Sequence, residues 1–387
     1  LCYVGRANGP NNVNWMIGRL SSSSGLDTSF YTTGIRIGSF FENDEIFRAN
    51  TGRITASSFA TIATGYAWWY GRYNFVIAGF LTDGSFDTTF NTTGFNLTPI
   101  SNSDNGALAI DDDSANGSCD NRPIIAGPSS NGVDWDFAVA RYTSVGILDT
   151  TFRTVGYGTV NVLSSNDKNY ALYISRTKAI SSCNLIYMGG YSYNGANNDF
   201  AIVRLNTNGS LDTSFNTTGK QTLDIFGADD VVFGIAGNGP YESIYAAGST
   251  NNGGNVDVAV ARYQSNGKLD TSFHTDGVNS YDLTGSNDVA ASVWVGTNGG
   301  SIYVGARATV GGNLDFALLR IHTDGRLAAS GQKNYSFGSN GMLIVDVGGT
   351  DAAYAVAETA LEQNSSVRSY WYLSYVFGKS QNDIFIN

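Results

Sequence analysis

The sequence is poor in charge and in long apolar segments, and each shortage excludes a class of protein. Only 14% of the 387 residues are charged, and the formal net charge is −11. Phosphate binding needs a basic face, so this balance argues against nucleic acid as a partner and against an anionic membrane surface. No run of 18 apolar residues occurs, so no membrane-spanning helix is predicted.

Cysteine is also scarce, and its odd count limits the disulfides that can form. With Cys2, Cys119 and Cys183, at least one thiol stays unpaired within the chain. The sequence allows two alternatives: one disulfide, whose pairing it does not specify, or three inert thiols. The chain starts at Leu1 without a methionine and shows no signal peptide, so we expect an already processed chain. Little lysine and much Asn, Gly, Ser, Thr and Tyr are typical of secreted and cell-surface proteins, and we expect that location.

Groups that usually carry catalysis are nearly absent. The two histidines, His274 and His322, have no metal-ligand partner at useful spacing, and no nucleophile or phosphate-loop motif occurs. We therefore predict no enzymatic activity, no cofactor and no metal. Two alternatives remain: paired carboxylates for glycoside hydrolysis, and a cation site in the acidic loop 111–114 with Asp120, which we interpret as a solvated charge cluster.

What the sequence has in plenty is a repeat. A short motif of the form Leu/Phe-Asp-Thr-Ser/Thr-Phe, preceded by a glycine, recurs five times, and its aspartates are 60, 62, 63 and 58 residues apart. A sixth, degenerate copy lies at Gly325-Arg326-Leu327-Ala328. A fixed period of this kind indicates one supersecondary unit used several times. The motif aspartates are Asp27, Asp87, Asp149, Asp212 and Asp270.

Each repeat contains four short strand-like runs. The first run, such as Asp136 to Tyr142, lies at a constant distance before the motif, and the fourth ends on a small residue such as Gly127. Four short antiparallel strands at this period match a propeller blade. We predict an all-β protein, a β-propeller of six to seven four-stranded blades built from about 60-residue repeats. It would form one domain, 1–387, with units near 1–20 (partial), 21–80, 81–142, 143–205, 206–263, 264–321 and 322–387.

The motif is interpreted as structural. Each aspartate is expected to accept hydrogen bonds from the backbone of its own turn, and each phenylalanine to fill the space between neighbouring blades. A repeated arginine could pair with a motif aspartate, although Gly79 replaces it in one repeat. Calcium sites at the motif aspartates are the alternative, which the low density of acidic residues disfavours. The arginines are Arg19, Arg141, Arg204, Arg262 and Arg320.

These residues resemble a known family, the delta-type repeat of about sixty residues. The resemblance rests on Asp-Phe-Ala-Val-Ala-Arg-Tyr, then the Leu-Asp-x-Ser-Phe motif, then an Ile-x-x-Ala-Gly strand, and it extends from Tyr3 to Phe385. It implies a β-propeller found mainly in large secreted or surface-attached microbial proteins, without a generally assigned catalytic activity. Departures at Gly79, Ala328 and 330–335 put the geometry of the sixth unit in doubt.

The two ends of the chain do not complete a whole number of blades. Counting strand-like runs gives 26, six blades and a half. An unfinished sheet edge is a template for another chain. We hypothesise that the seam, or the C-terminal residues, join neighbouring copies; chain ends that simply fray are the alternative. The candidate residues are Asn382, Asp383, Ile384 and Phe385.

A second candidate interface is a run of aromatic residues. Trp68, Trp69 and Tyr70 stand in a hairpin whose counterparts are rich in Gly and Asn. They either pack within the chain, contact another subunit or stack on sugars. Seven N-x-S/T acceptors are candidate glycosylation sites, about the number chance predicts. They are Asn91, Asn96, Asn116, Asn208, Asn216, Asn334 and Asn364.

From these patterns we predict a non-catalytic extracellular structural protein. It would be a self-associating building block of a surface layer, fibre or filament, with copies of itself as its partners. The alternative is a glycan-binding or adhesive propeller using Trp68, Trp69 and Tyr70, with surface glycans or other extracellular proteins as partners.

Overall fold

A computed structural model describes most of the chain. The described residues are 2–8, 12–21, 25–55, 58–112, 121–175, 185–238, 243–296, 300–328, 337–346, 355–358, 373–380 and 383–386. They contain strands and turns but no helix that is long and apolar enough to span a bilayer. Cys119, Cys183, Asn116, Asn334 and Asn364 lie outside the described residues.

The described residues form 26 strands, the number counted from the sequence. They are β1 Cys2–Asn8, β2 Val13–Arg19, β3 Ile35–Gly38, β4 Glu42–Thr55, β5 Ser58–Trp69, β6 Arg72–Phe80, β7 Phe95–Thr98, β8 Ala109–Asp112, β9 Pro123–Ser130, β10 Trp135–Arg141, β11 Tyr157–Val160, β12 Asp167–Ile174, β13 Ile186–Tyr193, β14 Asn198–Leu205, β15 Lys220–Leu223, β16 Asp230–Asn238, β17 Ser243–Asn251, β18 Val256–Tyr263, β19 Val278–Tyr281, β20 Asp288–Val295, β21 Ser301–Val310, β22 Asn313–His322, β23 Met342–Val345, β24 Ala355–Glu358, β25 Leu373–Ser380 and β26 Asp383–Ile386.

The strands pair in chain order into seven antiparallel sheets. Five sheets have four strands: β4-β5-β6-β7, β8-β9-β10-β11, β12-β13-β14-β15, β16-β17-β18-β19 and β20-β21-β22-β23. The first and last sheets, β1-β2-β3 and β24-β25-β26, have three. Every sheet is thus a meander of consecutive strands, which is the pattern of one blade.

The central strands are buried on both faces. Large and small side chains alternate along them, which allows both faces to pack against a neighbouring sheet. In β10, Phe137 and Val139 join a core with the following sheet, while Ala138 and Ala140 join a core with the preceding sheet. Because side chains alternate across a strand, large residues fill one face and alanines the other. Neighbouring sheets can therefore pack closely along their whole central strands.

The glycine of the Ile-x-x-Ala-Gly strand has a steric cause, and the expectation that the strand ends on it is wrong, since β17 continues from Gly248 to Asn251. A β-bulge lies opposite Gly248, where the pairing shifts between Val232 and Gly234. A Cβ at Gly248 would lie 1.8 Å from the carbonyl oxygen of Val231, so no other residue fits. Gly190 and Gly65 meet the same kind of bulge at the same distance.

Contacts divide the chain into two compact units. Unit 1 comprises Leu1–Ala196 and Ala201–Thr222, and unit 2 comprises Asn197–Phe200 and Leu223–Asn387. Each unit has its own buried clusters, in unit 2 around Val258, Phe273 and Val304. A single domain over residues 1–387 stays a prediction.

Candidate functional site

Each repeat has two ends with different chemistry. The turn end carries the motif, between the strand that contains the arginine and the short strand after it, as in residues 142–156 between β10 and β11. The hairpin end carries the tip between the two central strands, such as Tyr70-Gly71 between β5 and β6, together with the loop that leads to the next sheet. The candidate site residues fall on one end or the other.

At the turn end, Asp149 holds its own turn together. Its Oδ1 accepts hydrogen bonds from the amide (3.0 Å) and hydroxyl (2.6 Å) of Thr151, and Arg141 Nε donates to Oδ2 at 2.8 Å. Burial raises the pKa of Asp149, but these hydrogen bonds and the arginine outweigh it and hold the pKa below its ordinary value. Both carboxylate oxygens are thus used by protein donors, which leaves no free ligand for the calcium alternative at this position.

The same turn recurs in the other repeats. Each aspartate Oδ1 accepts from the amide and hydroxyl of the Ser or Thr two residues later, with amide distances of 3.0–3.1 Å. Arginines pair with four of the five at 2.8 Å, and Asp87 lies where Gly79 replaces the arginine. The remaining aspartates with this geometry are Asp27, Asp87, Asp212 and Asp270.

Arginine and phenylalanine of the turn also bind the next repeat. Arg19 Nη1 donates to the carbonyl of Thr82 at 2.5 Å, and Arg141 does the same to Thr207. Phe152 is fully buried, and a Cβ at Gly209 would lie 2.8 Å from its ring. Gly209 also has φ +83°, so both the backbone conformation and the close contact with Phe152 require glycine at this position. The turn end therefore joins neighbouring repeats.

The hairpin end of the second sheet carries the aromatic run. Trp68 and Trp69 lie in β5, not in a loop, and both are half-buried. Tyr70 and Gly71 form the two-residue turn with φ +50° and +77°, and Tyr70 is 79% exposed. Strand geometry puts Trp68 and Trp69 on opposite faces of the hairpin.

Because of this alternation, Trp68, Trp69 and Tyr70 do not form one continuous surface. The Trp68 ring packs edge-on against Tyr73 at 4.9 Å, whereas Trp69 lies 5.7 Å from Phe41 and 4.3 Å from Tyr70. We call Phe41, Trp69 and Tyr70 the aromatic patch. Internal packing thus describes Trp68, whereas an outward contact can involve Trp69 and Tyr70.

The loop before the third strand of a repeat adds apolar residues that sequence reasoning missed. Phe41, Leu163 and Phe226 occupy the same position after the short second strand and are 40%, 44% and 65% exposed. Ser101 and Thr284 stand at this position in two other repeats. Aligning the loops by the buried residue before each, such as Val162 or Ile225, would have revealed them.

Sequence reasoning also missed two carboxylate triads at the hairpin end, both in unit 2. Asp199, Asp224 and Asp230 each offer an oxygen, all within 4.8 Å of one another. The second triad, with the same spacing along the chain and the same mutual distances, is Asp257, Asp282 and Asp288. The repeated intervals of 25 and then 6 residues were the available signal.

Burial dominates the electrostatics of the triads. It raises the pKa of Asp230 to about 7, with Asp224 and Asp199 adding to the rise, while the nearby Thr250 hydroxyl and the hydrogen bond from the Ile225 amide oppose it. Burial likewise raises the pKa of Asp257 and of Asp288. The hairpin end therefore shifts carboxyl pKa values in the direction opposite to the turn end.

Four candidate glycosylation sites lie among the described residues. In Asn91 and Asn216 the side-chain amide, where a glycan would attach, donates to a backbone carbonyl at 2.8 and 2.9 Å. Asn96 donates to Gly146 O at 2.9 Å. Asn208 is exposed, and its side-chain oxygen, rather than its nitrogen, makes the turn bonds to Ser210. Accessibility thus favours Asn208.

The other predicted residues are described only in part. Asp111 accepts a hydrogen bond from the Ile174 amide at 3.0 Å, while Asp113, Ser114 and Asp120 lie outside the described residues. Asp383, Ile384 and Phe385 belong to β26, which pairs with β25, and Asn382 lies outside. Residues 330–335 lie outside as well.

Comparison with known proteins agrees with the fold. Four stretches, residues 120–152, 186–215, 243–273 and 300–337, match the family model described as "Domain of unknown function (DUF5122) beta-propeller". The first three matches each extend to the motif phenylalanine. The prediction of an all-β propeller built from repeats is thereby confirmed. No curated protein matches the chain significantly.

Solved structures show only distant similarity. Sqt1 from Chaetomium thermophilum is 12% identical, with coverage of 92% of this chain and 86% of that chain and a TM-score of 0.38. The same protein bound to the N-terminus of the ribosomal protein L10 is 11% identical, with 92% and 87% coverage and a TM-score of 0.38. Kuenenia stuttgartiensis hydrazine synthase is 10% identical, with 88% and 45% coverage and a TM-score of 0.45. These TM-scores are too low to bear on function.

Proposed function

We propose that this chain is a non-catalytic extracellular structural protein that associates with copies of itself, as a building block of a surface layer, fibre or filament. The proposal includes its membership of the delta-type sixty-residue repeat family. The observation that carries it is the aromatic patch, in which Tyr70 is 79% and Phe41 40% exposed beside Trp69. Exposed large apolar side chains that adjoin one another are characteristic of interaction surfaces.

Repetition supports copies of the same chain as the partner. Leu163 and Phe226 present an apolar side chain at the position of Phe41 in two further repeats. A chain with several equivalent apolar contacts and little charge can bind more than one copy, and contacts that do not close into a ring produce filaments. The C-terminal residues 382–387 are the second proposed contact.

The test is negative-stain electron microscopy and light scattering of the purified chain over a concentration series. Ordered polymers support the proposal, and the double variant Phe41→Ser, Tyr70→Ser should abolish them. Ile147→Ser is the matched control, because Ile147 is 55% exposed but lies at the turn end. Single particles at every concentration, or polymers unaffected by the double variant, would contradict the proposed contact. Deleting residues 382–387 tests the second contact in the same assay.

The second candidate function is glycan binding, favoured by the exposure of Tyr70 on top of Trp69. Sugars stack on exposed aromatic rings, and two rings 4.3 Å apart offer such a surface. Saturable binding to a glycan array by a monomeric chain, lost in Trp69→Ala and kept in Trp68→Ala, would favour this function over assembly.

A further inference from the structure

The first carboxylate triad has the dimensions of a cation site. Asp199, Asp224 and Asp230 each place one oxygen within 4.8 Å of the other two. Calcium binds oxygens at 2.3–2.6 Å, so two ligands of one ion are at most about 5 Å apart. All three carboxylates can therefore contact a single ion without movement of the backbone.

A buried oxygen without a hydrogen bond points to a missing ligand. Asp230 has no exposed surface, and its Oδ2 accepts from the Ile225 amide at 2.6 Å, but its Oδ1 has no hydrogen-bond partner. The Thr250 hydroxyl lies near enough to lower the pKa of this carboxyl, yet it donates to the carbonyl of Ile225 at 3.4 Å. A buried carboxylate oxygen left in this state is costly.

Two of the three carboxylates, Asp224 and Asp230, lack a basic partner among the described residues, since neither forms an ion pair with lysine or arginine. Asp224 accepts only the Gly227 amide, at 2.8 Å, and is exposed, so an ion could reach the triad from solvent. Bound cations relieve this kind of like-charge repulsion.

The second triad shows what the first one lacks. Asp288 Oδ1 accepts from the Thr284 hydroxyl at 3.1 Å and from the Thr309 amide at 3.2 Å, so protein donors serve the oxygen that is orphaned in Asp230. In the first triad, the residue equivalent to Thr284 is Phe226, whose side chain cannot donate a hydrogen bond. Two triads with the same spacing thus differ in the donors to this oxygen, which number two in Asp288 and none in Asp230.

We propose that Asp199, Asp224 and Asp230 form a binding site for a hard divalent cation such as Ca²⁺, with water completing the coordination. The second triad, satisfied by its own donors, binds the ion more weakly. The site is independent of the proposed self-association.

The experiment measures thermal unfolding of the full chain, dialysed against EDTA, with and without 5 mM CaCl₂. We expect calcium to raise the Tm of the wild-type chain by about 3 °C, as for a ligand near 100 times its Kd on a chain of this size. In Asp224→Asn the rise should disappear, because the exposed ligand is neutral while the amide oxygen still accepts from Gly227. The matched control Asp282→Asn should keep the rise, because it makes the same change in the second triad.

Each other outcome would overturn the proposal. No rise in the wild-type chain would show that the triad does not bind calcium. A rise that persists in Asp224→Asn, or one that disappears equally in Asp282→Asn, would show that the ion binds elsewhere. Isothermal titration of the same proteins with CaCl₂ gives a binding readout independent of stability.

Discussion

The turn end and the hairpin end of a repeat are made from similar residues but have opposite electrostatics. At the turn end, Asp149 is held by Thr151 and by Arg141, and its pKa lies below the ordinary value. At the hairpin end, Asp230 lies between two other carboxylates with one oxygen unserved, and its pKa is raised to about 7. The comparison shows that an aspartate in this fold is structural where donors surround it, and is available to a ligand where they do not.

Apolar residues show the same division. Phe152 at the turn end is fully buried against the next repeat, whereas Tyr70 at the hairpin end is 79% exposed. The motif phenylalanine of the turn end therefore packs between repeats, whereas the tip of the hairpin end presents an aromatic ring to solvent. If this division holds, substitutions at the two ends should differ in their effect on stability.

Removing the ring of Phe152 should have the largest effect. Phe152→Ala leaves a cavity between two repeats and should lower the free energy of unfolding by about 3–5 kcal/mol. Tyr70→Ser, at the exposed tip, should change it by about 0.5 kcal/mol or less. Urea denaturation followed by tryptophan fluorescence measures both. Comparable losses in the two variants would remove the distinction between the ends.

Removing the arginine should separate a buried ion pair from a partly exposed one. Arg141→Ala removes the arginine 2.8 Å from Asp149 in a site that is nearly closed to solvent and leaves Arg122, at 3.3 Å, as its remaining basic partner, so it should cost about 2 kcal/mol. The corresponding pair of Arg19 and Asp27 is more exposed to solvent, which screens it, so Arg19→Ala should cost clearly less than Arg141→Ala. If the same denaturation assay gave equal losses, burial would not determine the strength of these pairs.

The pH dependence of stability should have opposite signs at the two ends. The pKa of Asp230 is raised on folding, so its contribution to stability is present below pH 4 and is lost as the pH rises through about 7. The pKa of Asp149 is lowered, so its contribution is present above pH 4 and is lost as the pH falls through the lower, folded-state value.

The test of this sign difference uses one substitution at each end. Asp230→Asn should flatten the decline in unfolding free energy between pH 5 and pH 8, by an amount on the order of 1 kcal/mol, without changing the acid limb. Asp149→Asn should alter the acid limb and leave the neutral range unchanged. Denaturant titrations at several pH values, in EDTA so that no cation occupies the triad, measure both. If the unfolding free energy of Asp230→Asn still declined between pH 5 and pH 8, the decline would come from other groups.

Much of the fold could be predicted because the repeat depends on residues that are close to one another in the sequence. The count of 26 strands followed from alternating runs such as Asp136 to Tyr142, and the turn around Asp149 followed from the preference of aspartate for bonding the backbone two residues later. The glycine of the fourth run, such as Gly248, was visible in the sequence, but its place inside the strand and its cause, a bulge carbonyl 1.8 Å from a Cβ at Gly248, were not.

The candidate sites were harder to predict because they join residues from different strands. The triad combines the start of β14, the residue after β15 and the start of β16. Its three aspartates are therefore separate in the sequence and become neighbours only through the sheet and the loop that follows it. The aromatic run was recognised, yet its rings were expected to act together, and strand alternation places Trp68 and Trp69 on opposite faces.

By itself the sequence determined the repeat, the strand count and the motif turn of this propeller, because each depends on side chains within a few residues of one another. Only the tertiary structure decided which aspartates are satisfied and which aromatic rings are exposed. Those properties depend on the donors and neighbours that other strands bring, such as Thr284 beside Asp288 and Phe226 in the equivalent place beside Asp230. The change from Thr284 to Phe226 removes one of the donors that distinguish the satisfied triad from the one that is open to an ion.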